Sequence, residues 1–221
     1  MGDLLFAIGS VIVIDLILSG DNAVVIALAC RNLPTKQRRK GIIFGTSLAV
    51  VLRVSLVVIV TLLMRVPFLQ FAGGLALVYI GFKLLTSGSE EDVNVESNDN
   101  LIKAVKTIVV ADFIMSMDNV MAIAGVAKGR WGVLIFGLAL SIPLMVFCAS
   151  ILSKLMNRFP VIVYLGGGLI AFVAAEMMVT DPTLGHYLEH YALAIEIVIP
   201  LVVLGIGYLV NRHAKTAKKK E

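Results

Sequence analysis

Two stretches govern the reading of this chain: DLILSGDNAVVIA, residues 15–27, and DFIMSMDNVMAIA, residues 112–124. Set 97 positions apart, they pair Asp15 with Asp112, Ser19 with Ser116, Asp21 with Asp118, Asn22 with Asn119, Ile26 with Ile123 and Ala27 with Ala124. Both lie inside long apolar runs. Acids within such runs are costly, and they mark ion or substrate paths. A pattern D-x3-S-x-D-N-x3-I-A that occurs twice therefore points to an internally duplicated membrane protein.

The composition agrees. Of 221 residues, 59% are hydrophobic and 15% charged, with a mean hydropathy of +0.96. Soluble domains run at about 45–50% apolar and about 25% charged. A soluble enzyme, a secreted disulfide scaffold and a disordered chain are disfavoured together. The net charge of +4 comes from short Lys/Arg clusters between apolar runs. Such clusters orient a membrane protein and require no nucleic acid. Cys30 and Cys148 sit in apolar segments with no metal or redox spacing, and read as packing residues. The start of the chain has no basic n-region, so the first apolar run reads as a retained span.

Working outward, seven apolar stretches appear, at residues 4–29, 41–63, 68–86, 103–127, 131–152, 160–179 and 192–211. Their length and weak alternation favour helices over a β-barrel. The expected fold is all-α, a polytopic membrane protein with seven transmembrane helices. It divides into a first three-helix repeat (1–86), an acidic cytoplasmic linker (87–102), a second repeat (103–180), and an external loop, seventh helix and basic tail (181–221). Weaker echoes join the repeats: Phe44-Gly45 with Phe136-Gly137, and Gly73-Gly74-Leu75 with Gly167-Gly168-Leu169.

Fifteen of the 19 Lys and Arg fall at one set of ends and three at the other, with Arg53 inside a span. The positive-inside rule then sets the N-terminus outside and the C-terminus in the cytoplasm. Helices 1 and 4 run in opposite directions on this count, so the repeat is inverted, an architecture common among secondary transporters. Gly41, Gly45, Gly166 and Gly205 are expected to allow close packing, and Pro143 and Pro200 to kink their helices.

On a straight helix Asp15, Ser19 and Asn22 share a face, as do Asp112, Ser116 and Asn119. Asp21 and Asp118 point elsewhere unless the helix is broken. Gly20 permits a break in the first motif, whereas Met117 takes its place in the second. Carboxylates, amides and hydroxyls form a hard oxygen set suited to Mg2+, Ca2+ or Mn2+. Two other readings stay open: acids buried to fix helix packing, and a proton relay without metal. Arg53 reads as a structural partner for one acid, or as a counter-ion when a cation site is empty. Glu176 and Glu196 are the other acids within spans and are candidates for proton coupling. His186-Tyr-Leu-Glu189-His190 matches H-x-x-E-H. It lies in a short external loop without a soluble catalytic domain, so a solvated loop or a metal-collecting patch is expected and no enzyme activity.

These motifs, with Arg53, Gly73-Gly74-Leu75, Gly81-Phe-Lys83 and GGGLIAFVAAE (166–176), resemble the TerC family of bacterial integral membrane proteins over residues 4–211. The resemblance is to its short seven-span branch. It implies a protein of the cytoplasmic membrane that handles Mn2+, by export or by delivery to secreted enzymes through secretion machinery. The family is similar to LysE-type exporters, so a small-solute exporter is a third reading. The resemblance assigns the metal site to Asp15, Asp21, Asn22, Asp112, Asp118 and Asn119, with Ser19 and Ser116 as auxiliaries. It implies no tightly bound cofactor, with Mn2+ as cargo. Met117 departs from the symmetry of the motif.

Overall fold

A computed structural model of the chain describes residues 2–63, 66–86, 98–127 and 131–218. Some side chains within these helices, Asp118 among them, lie outside the described set, as do most of the acidic linker (87–97) and residues 219–221. Among the described residues every element is helical: α1 (Gly2–Leu18), α2 (Gly20–Cys30), α3 (Thr35–Leu63), α4 (Leu69–Thr86), α5 (Asn98–Ala127), α6 (Trp131–Arg158), α7 (Val161–Val179), α8 (Gly185–Leu188) and α9 (Ala192–Lys218). One 3-10 turn joins α8 to α9. Five segments are long and apolar enough to cross a membrane, within α3, α4, α6, α7 and Gly185–His213. The pair α1/α2, bent by 50° at a short break, makes a sixth.

Proline marks several helix starts, where its missing N–H costs no hydrogen bond. Pro34 precedes α3 and Pro160 caps α7. Pro143 and Pro200 lie inside α6 and α9, and each helix continues through as one element. The many exposed large apolar residues, such as Leu193, Phe147 and Leu165, are what a lipid-facing surface requires.

The chain forms two compact units, each drawn from two separate stretches of sequence. The first holds residues 1–66 and 99–154, the second 67–98 and 155–221. The first unit thus takes the opening two spans of each repeat. The second takes the third span of each repeat together with the last helix.

In the first unit, two apolar clusters lie at different levels along the same helices. One joins Ile26, Ile42, Ala49, Ala104, Ile108 and Met145; the other joins Ala7, Val11, Val50, Ile123, Leu134 and Leu138. Glycine sets the spacing. A Cβ on Gly45 would come within 2.6 Å of the Ile108 side chain, and one on Gly137 within 2.5 Å of Val11. Val11 and Ile108 each stand four residues before the first Asp of their motif. Equivalent glycines therefore receive equivalent residues of the opposite half. Gly41 is likewise packed against Cys30 and Leu101, whereas Gly205 faces open space. Cys30 is buried as a packing residue, but Cys148 is exposed.

In the second unit α4, α7 and α9 pack together. Lipid is as apolar as the helices, so close backbone approach takes the place of hydrophobic drive. A Cβ on Gly74 would meet the Ala174 carbonyl at 2.6 Å, and Gly81 and Gly167 take up Ile170 and Leu85. Asp181, buried after α7, ties this unit at one end. It accepts the N–H groups of Thr183 and Leu184 at 2.9 Å and of Phe71, in the first turn of α4, at 3.0 Å. That N–H has no partner within its own helix. Burial pushes the Asp181 carboxyl up, but the bonds from Leu184, Phe71, Thr183 and Gln70 outweigh it and hold it below its ordinary value.

Candidate functional site

The two motifs meet in the first unit. Along α1/α2 and α5, their polar residues fall between residues of the two apolar clusters, and Arg53 of α3 follows Val50 of the second. Asp15, Ser19, Asn22, Asp112, Ser116 and Arg53 are all buried, with Asp15 and Ser19 at 0% exposure and Arg53 at 1%. The i, i+4 spacing acts as read: Ser19 donates to Asp15 at 3.3 Å, and Ser116 to Asp112 at 3.2 Å.

Arg53 of α3 stands astride the motifs. Its Nη1 donates to Asp15 and Ser19, its Nη2 to Asp112, and its Nε to Ser116 at 3.0 Å. It forms ion pairs with both acids, one more than expected from the sequence. The planar guanidinium suits this, because its fork serves two carboxylates at once. Two carboxylates and one guanidinium leave the cluster with one excess negative charge. Two buried oxygens, Asp15 Oδ2 and Asn22 Oδ1, have no hydrogen-bond partner among the described residues. Leaving such an atom dry costs about 1–3 kcal/mol, so an orphaned pair of oxygens in a polar cluster calls for an occupant.

The asparagines cross over. Asn22 donates to Asp112 at 2.8 Å, and Asn119 donates to the Leu18 carbonyl at 2.8 Å. That carbonyl is free because the first motif is broken. Ser19, with φ −113° and ψ 11°, interrupts the helix. In an unbroken helix Leu18 would accept the Asn22 N–H. Here that N–H turns to the Asp21 carboxylate at 2.8 Å. The second motif has no break, and α5 runs through it.

The acids of the expected metal site take different partners. Asp15 and Asp112 come together. Asp21 is half-buried in the first turn of α2 and accepts an N–H of its own turn, a helix-capping arrangement favoured by the dipole. The Asp118 side chain lies outside the described residues. Among the described residues no three His, Cys, Asp or Glu side chains gather as a metal set. The available donors are two carboxylates with amide and hydroxyl oxygens. Glu176 (α7, exposed) and Glu196 (α9, half-buried) belong to the second unit. His186 and His190 are exposed and meet the rings of their neighbours Tyr187 and Tyr191 edge-on. The role of Asn119 on a backbone carbonyl escaped the sequence reading; the Gly20/Met117 difference was its signal.

The family model described as "Integral membrane protein TerC family" matches residues 2–220. The chain belongs to the TerC family. Among its TerC relatives is the uncharacterized membrane protein YjbE of Bacillus subtilis, 36% identical over 98% of this chain and 99% of its own length. A second from the same organism, the uncharacterized membrane protein YceF, is 27% identical over 97% of this chain and 87% of its own. The UPF0053 protein YegH of Escherichia coli is 30% identical over 71% of this chain, which spans 33% of that longer protein. No solved structure matches the TerC chain.

Proposed function

We propose that this protein is a divalent-cation transporter of the cytoplasmic membrane, exporting Mn2+ through the site formed by Asp15 and Asp112. The observation that carries the reading is the pair of buried acids, one from each motif, with the unpartnered oxygens of Asp15 and Asn22 beside them. Hard oxygen donors favour hard cations. The choice of Mn2+ among them rests on the TerC resemblance. Asn22 and the two serines complete the donor set, and Asn119 holds the broken end of α1 in register. In this reading α5 is the seventh span, the N-terminus is outside, and the halves form an inverted repeat. The reciprocal seating of Val11 and Ile108 on Gly137 and Gly45 supports that symmetry.

The test is Mn2+ efflux from loaded cells or proteoliposomes. Asp15→Asn and Asp112→Asn are expected to abolish it while the protein still reaches the membrane. Asp21→Asn is expected to reduce it less. Full efflux from both of the first two variants would reject the site.

A further inference from the structure

We infer that Arg53 is a built-in counter-ion: it fills the cation site when no metal is bound, yields it when metal enters, and so lets the empty carrier reset without a second ion. The inference rests on the transporter reading and deepens it. Arg53 comes from α3, outside both motifs, yet it takes oxygens of Asp15, Ser19, Asp112 and Ser116 together. In the transporter reading a divalent ion would use the same two carboxylates. A guanidinium and a metal cannot share them, so the two cations occupy the site in turn.

Charge explains why turns are needed. Two carboxylates buried side by side with no cation between them are strongly disfavoured, because an uncompensated buried charge is costly. With Arg53 in place the pair carries one net negative charge. With a divalent ion in place of Arg53 it carries none. Both states are tolerable in a low-dielectric interior; the state with neither cation is not. A carrier lacking Arg53 would have to reload metal, or take up protons, before its empty site returned. Arg53 is always protonated, so it performs this role across the physiological pH range.

Purified protein in liposomes separates the two modes, with Mn2+ as the probe. Net efflux into metal-free buffer requires an empty return step; isotope exchange of Mn2+ for Mn2+ does not. Arg53→Met should cut net efflux by about tenfold or more, leave exchange within about threefold of wild type, and bind Mn2+ more tightly, as expected when a competing state is removed. Arg53→Lys keeps the charge and should keep a measurable net flux. It also carries the test should Arg53→Met fail to accumulate, because its looser ammonium should raise exchange relative to net flux. Parallel loss of both modes in these variants, or unchanged net efflux in Arg53→Met, overturns the inference and leaves the transporter reading standing. Wild-type protein that moves no Mn2+ in either mode overturns both.

Discussion

The two halves of this molecule carry the same motif and use it differently. In the first, Ser19 breaks the helix, Asp21 turns to its own backbone and the Leu18 carbonyl is left open. In the second, α5 passes through the motif without interruption. Yet the Asp and Ser of each half reach the same guanidinium. The difference teaches that only part of the repeated pattern is under one common demand. Asp-x3-Ser builds the shared charge site on both sides. Asp-Asn caps a broken helix and braces the other half.

The largest expected effect tests the shared part. Asp15→Asn and Asp112→Asn should both eliminate Mn2+ efflux. Removing one partner of a buried ion pair costs about 3–5 kcal/mol, and the remaining acid should hold the loss to the lower end of that range. Asp112 also receives Asn22, so its variant should melt lower in detergent. Equal melting of the two would mean that the crossing amide contributes little.

The packing symmetry comes next. Gly45→Ala and Gly137→Ala press on Ile108 and Val11 and should each destabilise by about 1–3 kcal/mol, the usual range for overpacking. Thermal unfolding of both variants checks this, and a large loss in one alone would contradict the reciprocal seating. Asn119→Leu strands the Leu18 carbonyl and should cost about 1–3 kcal/mol by the same measurement.

Asp181 sharpens the comparison from outside the site, as an acid held by backbone N–H groups instead of an arginine. Its carboxyl is held below its ordinary value. Its contribution is therefore full above the ordinary carboxylate range and is lost as pH falls through the lowered value. Asp181→Asn should lower the melting temperature at neutral pH and flatten its decline on acidification. A parallel decline in the variant would deny the linkage. The smallest effect belongs to Gly20→Ala. A Cβ there meets nothing within 4 Å, and the change should stay within about 1 kcal/mol by thermal unfolding. A larger loss would show that the break depends on glycine itself.

Six of the seven expected spans, one of them the broken α1/α2 pair, were legible because hydropathy and length answer directly to bilayer thickness. Asp15-Ser19 and Asp112-Ser116 were legible because i, i+4 spacing is a local property. The double pairing of Arg53 was not, since it depends on which faces of three helices meet. The two units were not either. They depend on Gly74, Gly81 and Gly167, which let α4 and α7 pack closely although they are far apart in sequence. The bond from the Asn22 N–H to Asp21 was not legible either, because it depends on the break at Ser19.

The burial of Arg53 within a helix long and apolar enough to cross a membrane has an electrical consequence. A positive charge held at such a depth lies where the membrane voltage drops. One elementary charge crossing the full field exchanges about 2.3 kcal/mol per 100 mV, and a partial swing of the guanidinium exchanges a corresponding fraction. In the proposed transport cycle, Arg53 would thus tie the resting state of the site to membrane potential.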